Sequence, residues 1–131
     1  MANVVVIDDE EALAELYAFQ LQLSGHVTVE FNQSAKALAY LEANQPDMVV
    51  TDLRMPHVSG VDICRFVRKT YPLTKLIVVS GFSEIEDELS EIGVDAMLKK
   101  PFSLDDFGVI AQAVLNGTYV PTQKFVHRKA S

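Results

Sequence analysis

Four short apolar runs in this 131-residue chain each stop on a group that can do chemistry. The run from Asn3 to Ile7 ends at Asp8-Asp9-Glu10-Glu11, and the run from Met48 to Thr51 ends at Asp52. Lys75 to Val79 ends on the hydroxyl of Ser80, and Asp95 to Lys99 runs into Lys100-Pro101. Runs this short and β-branched, bounded by Pro, Gly and Asp, predict buried strands. Carboxylates gathered at the ends of such strands repel one another and raise each other's pKa unless a cation joins them. Oxygen ligands with no His or Cys beside them select Mg²⁺ over zinc. A hydroxyl and a lysine next to such an ion complete a cradle for a phosphoryl group, with Asp52 as the oxygen nucleophile that would form an acyl phosphate. Taken singly, each residue also has an ordinary reading. Asp52 can cap a turn, Ser80 can be a cap, Lys100 can be a surface lysine, and four acids in a row suit a solvated helix start. The three histidines, His26, His57 and His127, are scattered and form no metal-ligand pattern.

The elements that must bring these groups together are a strict alternation of strand and helix. After the acidic run, Ala12, Leu16, Phe19 and Leu23 keep a helical period, closed by Ser24-Gly25. Val27 to Phe31 alternates as a strand; Ser34 then stands as an N-cap, with Ala35, Leu38 and Leu41 on one face of a second helix. Gln45-Pro46 breaks that helix, and Gly60 opens a third, carrying Ile63, Phe66 and Val67 to its stop at Tyr71-Pro72. Ser83 and Glu86 have capping-box spacing ahead of a fourth helix with Ile85, Leu89 and Ile92 on one seam, ended by Gly93. Ser103 caps the fifth, with Asp105 and Asp106 in its first turn, Phe107, Ile110 and Val114 toward the core, and Asn116-Gly117 at its close. Five βα units predict a parallel sheet covered by helices on both faces, whose ligands bind at the carboxyl ends of the strands.

Length and composition fit one domain with a core that needs no disulfide or metal staple, since 49% of the residues are hydrophobic. The domain is expected over residues 1–121 and a tail over 122–131. The tail is too short for an output domain, and three readings of it stand open: disordered, docked on the acidic body, or the remnant of a longer protein. The single cysteine, Cys64, reads as a small buried hydrophobe and fits a reducing compartment. No signal peptide or membrane-length apolar run is present, so the expectation is a soluble cytoplasmic protein with no membrane partner. All 18 acidic residues precede position 107, whereas Lys124, Arg128 and Lys129 fall in the tail. The body is therefore more acidic than the net charge of −7 suggests, which disfavours direct nucleic-acid binding.

As a set and in this order, Asp8-Asp9, Asp52-Leu53-Arg54-Met55-Pro56 with Gly60, Ser80, and Lys100-Pro101-Phe102 resemble the receiver domain of two-component response regulators, over about Asn3 to Asn116. The resemblance implies a flavodoxin-like, doubly wound α/β fold, a five-stranded parallel sheet in order 2-1-3-4-5. It implies that Asp52 accepts phosphate from the phosphohistidine of a sensor histidine kinase or a phosphotransfer protein. Asp9 would bind Mg²⁺ directly and Asp8 largely through water, with the Arg54 backbone carbonyl as a further ligand. Ser80 and Lys100 would hold the phosphoryl oxygens, and the family often has a cis peptide before the proline that follows the lysine. Arg54 and Phe82 occupy the places where the family tunes loss of phosphate. Where the family usually has an aromatic switch residue, three positions before the lysine, this chain has Met97, flexible enough to fill a similar gap. Phosphorylation would bias the surface made by the fourth helix, fifth strand and fifth helix toward a downstream protein target, as a monomer or as a phosphorylation-dependent dimer. On that surface Glu84, Asp87, Glu88 and Glu91 read either as a solvated face or as a match for a basic partner.

Three other readings are weighed by residue type. A phosphohydrolase with an aspartyl-phosphate intermediate needs a second acid two places after the nucleophile, where this chain has Arg54, so turnover of external substrates is not expected. A nucleotide- or flavin-binding module needs a Gly- or hydroxyl-rich loop after the first strand, where this chain has four acids. A receiver-like docking domain that is never phosphorylated would not need the full set of site residues.

Overall fold

Residues 1–81 and 86–120 are described by the computed structural model. Phe82, Ser83, Glu84, Ile85 and the tail lie outside the described residues, and with them the capping-box and tail expectations. The chain runs β1 (Asn3–Ile7), α1 (Glu11–Leu23), β2 (Val27–Phe31), α2 (Ser34–Ala43), β3 (Met48–Asp52), α3 (Gly60–Thr70), β4 (Lys75–Ser80), α4 (Glu86–Ile92), β5 (Ala96–Lys99) and α5 (Leu104–Asn116). Every strand pairing is parallel, and the order is β2-β1-β3-β4-β5.

A parallel sheet sandwiched between helices buries both faces of its central strands, which is why β1, β3 and β4 are continuous apolar runs. Alternate residues serve opposite layers. Val4, Val6, Val50, Val79 and Leu98 meet α1 and α5 through Ala14, Tyr17, Ala18, Leu21, Phe107, Ala111 and Val114. Val5, Ile7, Val49, Val78 and Met97 meet α2, α3 and α4 through Ala37, Leu41, Ile63, Val67 and Leu89. Cys64 is buried in that second layer, where loss of solvation pushes its thiol up to about 12.

Local signals set several boundaries. Gly25, Gly93 and Gly117 take positive φ just past the ends of α1, α4 and α5. Ser103 accepts from Asp106 N–H at the start of α5. Ser59 and Asp62 form a reciprocal capping box on α3, a Ser-x-x-Asp signal already present in the sequence.

Three helix faces and one strand start differ from expectation. On α1 the buried residues are Ala14, Tyr17, Ala18 and Leu21. Leu16, Phe19 and Leu23 are 45%, 56% and 66% exposed, and Ala12 is exposed too. The helix is apolar nearly all round; its small residues let it approach the sheet and α5 closely, leaving the bulkier stripe outside. Ser34 is the first helical residue of α2 rather than its cap, and Ala35 faces solvent while Ala37 and Leu41 fill the core. β5 starts at Ala96 instead of Asp95, because the Asp95 carboxylate accepts from Leu76 N–H and Arg68. On α5, Ala111 takes the central core position and Ile110 is only partly buried.

Candidate functional site

Strand register delivers the reactive groups to one edge. Ile7 pairs with Thr51 and Asp52 with Val79, so the residue after β1, Asp8, arrives level with Asp52. Ser80 pairs with Lys99, and Lys100 N–H donates to the Ser80 carbonyl at 2.8 Å. The Lys100–Pro101 peptide that follows is cis.

Lys100 Nζ lies 3.4 Å from Asp8 Oδ2 and 3.5 Å from Asp52 Oδ2. Each acid's other oxygen is committed to backbone. Asp8 Oδ1 accepts from Glu10 N–H at 2.9 Å, and Asp52 Oδ1 accepts from Leu53 N–H at 2.8 Å. Asp8 is 0% exposed, Asp52 is mostly buried, and Asp9 stands at the surface. One carboxylate oxygen from each of the three comes within 4.8 Å of the others. An octahedral Mg²⁺ with bonds of about 2.1 Å spans about 4.2 Å between opposite ligands, so these residues fit the ion.

Electrostatics point the same way. Burial raises the Asp8 carboxyl above its ordinary value more than the Glu10 N–H and Lys100 lower it, and the Asp52 charge raises it further. Burial likewise raises Asp52, partly countered by Lys100 and Leu53 N–H, with Asp9 adding to the rise. Both carboxyls are thus raised despite Lys100, which marks the cluster as short of positive charge.

Of the other expected residues, Ser80 is buried at the end of β4 and Arg54 is exposed two places after Asp52. Met97 is not at the acidic edge; it is packed in the layer with Leu89 and Val78. Phe82 falls outside the described residues. Gly60 comes against the back of Asp52: a Cβ there would sit 2.0 Å from the Asp52 carbonyl oxygen.

Two features escaped the sequence reading. Tyr17 of α1 stacks on Phe102, just beyond Lys100, with centroids 5.8 Å apart, and the charges of Asp8 and Asp52 add to the burial that raises its hydroxyl pKa. Its signal was an aromatic on the helix that follows the acids, but the pairing partner is far along the chain. His57 has φ +72 in the loop after Asp52. The Pro before it was the available cue, since Pro often precedes a positive-φ position in a turn.

Comparison with known proteins agrees with this geometry. The response regulator receiver domain family matches residues 4–112. The sensory transduction protein RegX3 of Mycolicibacterium smegmatis is 33% identical over 88% of this chain and 51% of its own length. The alkaline phosphatase synthesis transcriptional regulatory protein PhoP of Bacillus subtilis is 27% identical over 86% of this chain and 48% of its own. The chain therefore spans about half the length of these curated relatives. Among solved structures, the Francisella response regulator 1452 receiver domain superposes with TM-score 0.80 at 26% identity, covering 91% of this chain and all (100%) of that one. Chemotaxis response regulator CheY4 of Vibrio cholerae shares the fold, with TM-score 0.80 at 24% identity over 87% of this chain and 98% of that one. With the family matching most of its length, the chain belongs to the receiver domains of two-component response regulators, which are phosphoryl-accepting signalling modules.

Proposed function

We propose that Asp52 is the phosphoacceptor and that residues 1–121 form the receiver unit, with 122–131 a tail. A carboxylate oxygen of Asp52 attacks phosphorus; the bond from phosphorus to the donor imidazole nitrogen breaks, and its electron pair leaves on that nitrogen. Lys100, midway between Asp8 and Asp52, meets the charge on the phosphoryl oxygens, and Ser80 donates a hydrogen bond to one of them. Asp9, Asp8 (largely through water), Asp52 and the Arg54 carbonyl would hold Mg²⁺, which when bound neutralises the phosphoryl oxygens and the carboxylates around them. The observation that carries this reading is Lys100 shared at 3.4 Å and 3.5 Å by the buried Asp8, just past β1, and the partly buried Asp52, at the end of β3, with a third acid beside them.

The donor is a sensor histidine kinase or a phosphotransfer protein, and the only reactions promoted are the domain's own phosphorylation and dephosphorylation. The output is read by a protein target on α4, β5 and α5. On that surface Glu88 is paired with Arg65 of α3, so part of the acidic face of α4 is already neutralised within the fold. Among the described residues no helix is long and apolar enough to cross a membrane, which suits the cytoplasmic placement proposed here.

Phos-tag electrophoresis after incubation with acetyl phosphate and Mg²⁺ tests the assignment. Wild type should shift and Asp52→Asn should not. Equal shifts in both proteins would move the acceptor elsewhere.

A further inference from the structure

A hydroxyl away from the acidic edge grips the loop that follows Asp52. Ser34, at the start of α2, is 3% exposed. Its Oγ–H donates to the Pro56 carbonyl at 2.9 Å, and its Oγ accepts from Val58 N–H at 3.3 Å. Those two backbone groups also meet each other, Val58 N–H donating to Pro56 O at 3.0 Å. Between them His57 sits at φ +72, and a three-residue turn of that sign is rare and strained. Strained backbone persists where its surroundings over-determine it. Ser34 does this from the first turn of α2, where the cap position before it, Gln33, makes no side-chain cap bond.

The rest of the loop is fastened directly to Asp52. Leu53 N–H donates to Asp52 Oδ1 at 2.8 Å, and Gly60 N–H donates to the Leu53 carbonyl at 2.8 Å. With Leu53 and Gly60 held, the 56–58 turn constrains the path of the Arg54 and Met55 backbone between them. We propose that Ser34 is a positioning residue for phosphoryl transfer to Asp52, clamping the 56–58 turn so that the Arg54 carbonyl is presented to the acidic edge. Ser34 acts through the loop and touches none of the reacting atoms. The inference rests on Asp52 being the acceptor.

The test compares wild type, Ser34→Ala, and Ser34→Ala combined with His57→Asn, well below their melting temperatures. Two quantities are read: the initial rate of labelling by acetyl phosphate with Mg²⁺, and hydrogen exchange at the Val58 amide. Ser34→Ala should label about threefold to tenfold more slowly, the worth of one hydrogen bond, and its Val58 amide should exchange faster by a similar factor. Adding His57→Asn should recover part of the rate, because a short Asn side chain can hydrogen-bond locally and so visits the left-handed region more readily. A purely structural role for Ser34 would lower the melting temperature but leave the labelling rate of the folded protein unchanged, and that result overturns the proposal. No recovery by His57→Asn also overturns it. If wild type itself takes no label, the acceptor reading falls and this inference with it, whereas equal labelling of wild type and Ser34→Ala removes this inference alone.

Discussion

Replacing Asp52 with asparagine should stabilise the metal-free domain. The Asp8 and Asp52 oxygens lie within 4.8 Å, which at an effective dielectric of 20 is a repulsion of at least about 3.5 kcal/mol. Asp9 adds a solvent-screened repulsion of the same sign. Lys100, 3.5 Å from Asp52, returns about 4.7 kcal/mol on the same scale. Attraction and repulsion nearly cancel, and the burial that heads the causes of the raised Asp52 pKa is left uncompensated. Asparagine keeps the side-chain oxygen that accepts from Leu53 N–H and removes the charge. A gain of about 1–2 kcal/mol follows, or about 4–8 °C in Tm for a domain of this size. The pH dependence has a definite sign. Because the folded pKa of Asp52 is raised above the usual 3.8, its share of stability is complete below the unfolded pKa and is lost as pH rises through the folded one. The advantage of asparagine should therefore be greatest above the folded pKa of Asp52 and fade as pH falls through it toward the ordinary carboxylate range. Thermal unfolding in EDTA across that range reads the effect. A variant melting at or below wild type at pH 7 would mean that the charge is already matched in the fold, and the reasoning fails.

Three further outcomes are expected, the first two from this geometry and the third from the sequence. Mg²⁺ at ten times its dissociation constant should raise the Tm of wild type by about 4–7 °C, from a binding term of about 1.4 kcal/mol, and should not do so for Asp9→Asn, as differential scanning fluorimetry would register. Gly60→Ala places a Cβ 2.0 Å from the Asp52 carbonyl oxygen and 2.7 Å from Leu53 Cα, both backbone atoms, so chemical denaturation should show a loss of about 3 kcal/mol or more. Truncating Arg54 and Phe82 together to alanine should speed loss of phosphate from the labelled protein, as their places two residues after Asp52 and Ser80 in the sequence imply; an unchanged lifetime would exclude a tuning role for the pair.

The residues that made the site legible in the sequence are those that end strands. In a parallel sheet, register carries chain position into space, so a charge that terminates each of several apolar runs arrives at one edge, as Asp8, Asp52 and Lys100 do. The central strands were legible for a related reason, since burial on both faces leaves no polar alternation to confuse them with surface elements. The face of α1 was not legible. Apolar residues occur on nearly all its sides, and the choice between Leu16-Phe19-Leu23 and Ala14-Tyr17-Ala18-Leu21 depends on how closely the helix must approach α5 and the sheet. Ser34 was misjudged because a serine before an apolar helix has two uses, and only the distant Pro56–Val58 turn decides between them. The Tyr17–Phe102 stack joins residues far apart in the chain, beyond the reach of any local pattern.

Borohydride trapping of the phosphorylated protein addresses the assignment of Asp52 most directly, because it reduces an acyl phosphate and leaves free carboxylates untouched. Peptide mass mapping after treatment with acetyl phosphate and Mg²⁺ should find position 52 converted to homoserine and Asp8 and Asp9 intact. Conversion at Asp8 or Asp9, or at no carboxylate, would contradict the account.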